Sequence, residues 1–182
     1  MGLCAWAYNA SPELRNYHDK EWGKPVFDSR KMFELLSLEI FQAGLNWETV
    51  LKKRSAFRDA FAGFDINEIA GFDDAKIAGL LANKQIIRNP RKIRAVISNA
   101  RAVKEMGDQK TFSNCLWEFV DFEPIVNYWQ NPEDIPSQTA LARRISTGLK
   151  EKNFKFIGPT IVYSFMQGCG MVNDHLAGCP NK

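Results

Sequence analysis

Histidine is scarce in this chain, with two residues among 182, so imidazole chemistry is confined to His18 and His175. Net charge is equally thin: 24 basic against 21 acidic side chains leave +3. That balance excludes a strong basic field, and any affinity for nucleic acid must come from a local patch. No apolar run approaches the roughly 18 residues that a membrane span requires, so none is expected. The opening MGLCAWAYNASPE has no basic region leading into an apolar stretch. No signal peptide is therefore expected, and the cytoplasm is the expected compartment. In that setting the four cysteines read as thiols or metal ligands rather than as a disulfide framework. Linkers rich in glycine, serine or proline, low-complexity tracts and internal repeats are all missing. One domain over residues 1–182 follows from the length. Nor does any stretch alternate with period two long enough to make a strand, which leaves an all-α fold.

Helical punctuation is dense by contrast. Asp28 or Ser29 can cap a helix to about Gln42, with Met32, Phe33, Leu36 and Ile40 on its apolar face. Gly44 breaks it, and 47–62 resumes with Val50, Leu51, Phe57 and Phe61. Asp65 and Glu68 have the spacing of a capping box, and Asp73 starts a further helix. Asn89-Pro90 pairs a cap with proline at the first helical position, and the pattern from Ile93 to Val103 runs on until Gly107. Helices are also predicted over 112–120, 137–152 and 159–169.

The two histidines each lie near a cysteine at one end of the chain: Cys4 with His18, and His175-x3-Cys179. Two thiols and two imidazoles make a full tetrahedral set for zinc, with no position left for water. Such an ion would clamp the chain ends rather than catalyse. Coincidental placement is the alternative. Cys115 and Cys169 lie in apolar surroundings and read as core thiols.

Glu39 stands out in SLEIFQAGLNW. Leu35 and Leu36 precede it by one helical turn, and Ala43 follows. A carboxylate on so apolar a face must be hydrogen-bonded or neutralised. Gln42 or a backbone amide could satisfy it at the edge of the core. Alternatively, Trp6, Tyr17, Trp22 and Trp47 could line a pocket whose acceptor is Glu39. That pocket would suit a flat, preferably cationic heterocycle, which aromatic faces stack upon and a carboxylate offsets. Near the C-terminus, Gly158-Pro159 at a helix start could present backbone N–H groups to a phosphate, with Lys152 and Lys155 at the lip. An ordinary helix start with solvated lysines is the plainer reading, and the basic run 52–54 is equally ambiguous.

These residues fall in blocks: Cys4-x-Trp6, YHDKEWG at 17–23, LEIFQAGLNWETVLKKRSAFRDAF at 38–61, IIRNPRKIRAVISNA at 86–100 and FKFIGPTIVYSFMQGCGMVNDHLAGC at 154–179. In content and order they resemble the 3-methyladenine DNA glycosylase I family, within the helix-hairpin-helix glycosylase superfamily. The resemblance implies a two-lobed helical fold, a terminal zinc clip, and excision of 3-methyladenine from alkylated double-stranded DNA by a monomer. By motif position it implies Cys4, His18, His175 and Cys179 as zinc ligands. Glu39 becomes the base-recognition and catalytic carboxylate, with Tyr17 beside it and Trp6 and Trp47 as stacking walls. Leu45 becomes the wedge into the duplex, and Lys155, Gly158 and Thr160 contact DNA. Asn46 departs from the family's usual serine, and Lys84-Gln85 from an acidic residue and glycine. The wider superfamily carries a water-activating aspartate after its hairpin. Asp174 invites that role, but its place beside His175 favours support of the clip. Excision of another base, or a zinc-stabilised module that binds damage without cutting, are the competing readings.

Overall fold

The computed structural model describes residues 4–8, 10–107 and 109–182. Two short helices open the chain, α1 (Ala5–Tyr8) and α2 (Pro12–Lys20). Then follow α3 (Ser29–Gln42), α4 (Trp47–Lys52), α5 (Arg54–Ala60), α6 (Ile66–Ala70), α7 (Asp74–Ala82), α8 (Pro90–Glu105) and α9 (Gln109–Trp117). The chain ends on α10 (Ala140–Glu151) and α11 (Pro159–Gly168). The fold is mostly helical, and no helix of the described residues is long and apolar enough to cross a membrane.

Side-chain caps start most of these helices. Asp28 accepts from Lys31 N at 2.7 Å, Asp73 from Lys76 N at 2.8 Å, and Asn89 from Arg91 N at 3.0 Å ahead of Pro90. Each satisfies a backbone donor that the first helical turn leaves open. Asn46 caps α4 through Thr49 N at 2.8 Å, the task a serine would perform there. Gln85 shows no positive φ, so a side chain in place of the usual glycine costs no backbone strain.

α3 is the axis of the molecule. All its residues from Met32 to Phe41 are buried, as expected of a helix wrapped by neighbours rather than set on a surface. It packs against α4, α8, α9 and α11. Consequently Glu34, Ser37 and Glu39 lie inside the protein, each needing a partner or a purpose.

The structure departs from the sequence reading at several points. The helix expected over 47–62 is split at Lys53, whose φ and ψ of −100° and 1° are not helical. The break lets Arg54 turn inward to Glu34 at 2.6 Å and Glu21 at 2.8 Å. That also corrects the view of 52–54 as one basic run: Lys52 pairs with Glu48, and Arg54 is buried. α9 starts three residues earlier than expected and α10 three later, at its Thr139 cap. Two strands of two residues, β1 (Ile125–Val126) and β2 (Val172–Asn173), pair in parallel. They are too short for any alternation to be visible. Cys169 is a core thiol as expected, whereas Cys115 is only half-buried.

Candidate base cavity and metal centre

Tyr17 and His18 are neighbours on α2, and between them they join two sites. Tyr17 lines a cavity of about 220 Å³ together with Trp6, Trp22, Glu39, Gln42, Trp47, Ser164 and Gln167. His18 belongs to a cluster with Cys4, His175 and Cys179. Trp22 is shared: it lines the cavity, and its ring lies 4.6 Å from that of His175, edge to face.

In the cluster the four side chains are buried, and their donor atoms all lie within 4.8 Å of one another. Cys179 Sγ is 3.3 Å from His175 Nδ1 and 3.5 Å from His18 Nε2, and Cys4 Sγ is 3.8 Å from His175 Nδ1. Bond lengths of a tetrahedral sulfur–nitrogen site give donor separations of about 3.6 Å. The far nitrogens are engaged as well. His18 Nδ1 meets Asp19 Oδ1 at 2.7 Å, and His175 Nε2 meets the Trp22 carbonyl at 2.9 Å. Those acceptors require N–H at the far positions, so Nε2 of His18 and Nδ1 of His175 are the bare nitrogens. Burial lowers the pKa of His175 to about 4, which keeps its ring in the neutral form a metal needs. Burial raises that of Cys4, so its thiolate would need a cation beside it. These four residues could therefore hold a metal ion.

In the cavity, Glu39 is buried and no described residue donates a hydrogen bond to its carboxylate. Gln42 does not satisfy it, since its amide donates to Leu45 O at 2.8 Å. Burial alone pushes the pKa of Glu39 up to about 8. Trp47 adds a matching orphan: its indole N–H is buried without a partner among the described residues. The Trp47 and Tyr17 rings meet at 5.2 Å, and burial followed by the nearby Glu39 charge raises the Tyr17 pKa well above that of a free phenol. Trp6 sits at the rim, 38% exposed, edge-on to Trp22. Gly168 makes room for Tyr17, because a Cβ there would fall 2.9 Å from the phenol oxygen.

A buried acceptor and a buried donor left open among aromatic rings form a site for a flat polar ligand, and a cationic one would relieve Glu39. Ser164 and Gln167 escaped the sequence reading. Their signal was there: Ser164 and Gln167, three apart in the largely apolar IVYSFMQ of α11, lie on one face.

Leu45 projects from the turn between α3 and α4 and is 43% exposed. Gly44, at φ +79°, makes that turn. Lys155 and Thr160 are exposed around the start of α11. Asn99 brackets the Lys155 backbone, accepting from its N–H at 2.6 Å and donating to its carbonyl at 3.1 Å. Gly158 has ordinary φ, and no described residue lies within 4 Å of where its Cβ would be. The protein itself therefore does not require glycine there. These residues do not touch the cavity but flank it by way of α3 and α11.

A profile of the methyladenine glycosylase family matches residues 6–182. DNA-3-methyladenine glycosylase of Haemophilus influenzae is 44% identical over 180 residues, covering 98% of this chain and 97% of that protein. A crystal structure of 3-methyladenine DNA glycosylase I superposes with a TM-score of 0.94 at 45% identity, over 98% of both chains. A tyrosine-to-phenylalanine variant of 3-methyladenine DNA glycosylase I, in complex with 3-methyladenine, gives 0.93 at 34% identity, covering all of this chain and 98% of that one. With this agreement in sequence and fold over nearly its whole length, the chain belongs to the methyladenine glycosylase family.

Proposed function

We propose that this protein is a monofunctional DNA glycosylase that flips 3-methyladenine out of alkylated duplex DNA and hydrolyses its N-glycosidic bond. The observation that carries the reading is Glu39: a buried, unpartnered carboxylate in an aromatic cavity of base size. Methylation at N3 leaves the adenine of the nucleotide positively charged, so the bond to the sugar is already weak. Water adds to C1′ as the C1′–N9 bond breaks, and the bonding pair enters the ring and cancels its charge. The base departs neutral, the water's second proton goes to solvent, and an abasic site remains. Little acid catalysis is needed, so the protein's work is extrusion and selection. Extrusion costs a few kcal/mol, less for a damaged base.

Glu39 accepts from the exocyclic amine and favours the cation, Trp47 and Trp6 stack, and Tyr17 adds its hydroxyl. Leu45 fills the gap left in the duplex, as an exposed apolar side chain on a tight turn can. α10, the 152–158 turn and α11 act as the helix-hairpin-helix of a two-lobed fold, and the open space before Gly158 admits a phosphate beside Lys155 and Thr160. Cys4, His18, His175 and Cys179 hold a structural zinc ion, which joins the two ends of the chain and supplies no catalytic chemistry. Asp174 does not activate water: it is wholly buried and already accepts from four donors. We take the protein to work as a single-domain monomer in the cytoplasm.

The tryptophans report occupancy directly. Free 3-methyladenine should quench their fluorescence, and above about pH 8, where Glu39 is ionised, Glu39→Gln should weaken binding about 10- to 100-fold, the value of one hydrogen bond to a charged group. Quenching by another alkylated base but not by 3-methyladenine would reassign the substrate, and equal binding by Glu39→Gln would remove the role of its charge.

A further inference from the structure

Asp174 gathers four donors on one buried carboxylate. Asn127 Nδ2 and Trp129 Nε1 reach Oδ1 at 2.7 Å each, the Tyr163 hydroxyl reaches Oδ2 at 2.6 Å, and Gln167 Nε2 reaches Oδ2 at 2.7 Å. A carboxylate oxygen facing an amide can only accept, so chemistry dictates which end of Gln167 is nitrogen. The amide oxygen is the end left over, and no described residue donates to it. Yet Gln167 lines the same cavity as Glu39 and Trp47. Two residues of the cavity wall therefore carry an unpaired side-chain acceptor among the described residues, Glu39 and Gln167, and the orientation of the second is set by Asp174.

We propose that Gln167 is a specificity-determining residue, its amide oxygen selecting a base with an exocyclic amine over one with a carbonyl at that position, and that Asp174 is the positioning residue that holds it so. This rests on the reading of the cavity as a 3-methyladenine site. The amine of adenine carries two hydrogens and can donate to both acceptors. Guanine places a carbonyl oxygen at the corresponding position, where it would face the Gln167 amide oxygen with no proton between them. A site built around hydrogen bonds to one group rejects an analogue that leaves its buried polar atoms unpaired far more strongly than shape alone does. Without Asp174 the amide of Gln167 could turn over and offer its NH2 to that carbonyl.

3-Methylguanine is the discriminating comparison, because it shares the N3 methyl and the positive charge and differs in its exocyclic groups. The experiment measures release of both bases from one sample of methylated duplex DNA by mass spectrometry, for wild type, Gln167→Met and Asp174→Asn. Gln167→Met keeps the side-chain volume and removes the acceptor. It should lower the ratio of 3-methyladenine to 3-methylguanine kcat/KM at least tenfold. Asn at 174 can donate as well as accept, so it lets Gln167 turn over and should lower the ratio similarly, with part of the change coming from faster 3-methylguanine release. A folded Gln167→Met protein with a ratio within twofold of wild type would overturn the proposal, whatever Asp174→Asn does. If Gln167→Met lowers the ratio and a folded Asp174→Asn does not, the positioning role is refuted. Failure of the wild type to release 3-methyladenine would instead remove the functional reading beneath both.

Discussion

Replacing Glu39 by glutamine should make the free protein more stable relative to wild type as pH rises, while crippling base capture. The pKa of Glu39 lies near 8 when folded against 4.5 for an ordinary glutamate, and burial is the sole cause. Because the folded value is raised, the sign follows directly. Below about pH 4.5 both states hold the proton, and ionisation costs nothing. Between 4.5 and 8 the unfolded chain releases its proton and the folded one does not, so stability falls by about 1.4 kcal/mol per pH unit. Above 8 the loss is complete. Between pH 5 and pH 7 the wild type should therefore lose about 2–3 kcal/mol that the glutamine variant keeps. In a chain of this length that corresponds to about 5–10 °C in the difference between their midpoints. Taking the difference removes every other titrating group, and also the pH-independent cost of burying an unpaired amide. Thermal unfolding followed by circular dichroism at the two pH values would measure it. A gap between variant and wild type that is the same at pH 5 and pH 7 would refute the picture of Glu39 as an unpaired buried carboxyl.

Chelation should lower the unfolding midpoint by about 10 °C or more and accelerate hydrogen exchange in α1 and after β2, since the ion's binding energy is folding energy; elemental analysis showing one zinc per chain, with stability unchanged after its verified removal, would contradict a structural clip. Gly170→Ala should destabilise by about 3 kcal/mol or more, because φ is +71° and a Cβ would fall 2.1 Å from the Lys24 carbonyl carbon; denaturant titration would read this. Arg54→Met should cost about 1–3 kcal/mol, since Glu21 loses its guanidinium and buried Glu34 is left with Arg58 alone; a loss within 0.5 kcal/mol would mean the pairs merely offset their own desolvation.

What could be read in advance depended on how local its cause was. Asp28, Asp73 and Asn89-Pro90 announce helix starts because a cap acts over three residues. The metal cluster was legible because only two histidines exist and each has a cysteine partner near its own chain end. Glu39 showed itself through Leu35 and Leu36 one turn away. The break at Lys53 could not be read, because its cause is distant: Arg54 turns toward Glu21 and Glu34, which lie 33 and 20 residues away. β1 and β2 pair across 47 residues with two residues each, below the length at which any pattern exists. Gln167 carried a local signal in its spacing from Ser164, but its role lies in Asp174 and in a cavity wall supplied by α2, α3 and α4.

The central claim is that this cavity removes 3-methyladenine from DNA. Incubating the purified protein with methylated duplex DNA and identifying the free bases by mass spectrometry tests it most directly. Release of 3-methyladenine with little 7-methylguanine is the expected result. No released base from a folded, zinc-loaded protein would contradict it, and would make the cavity a site that binds damage without cutting.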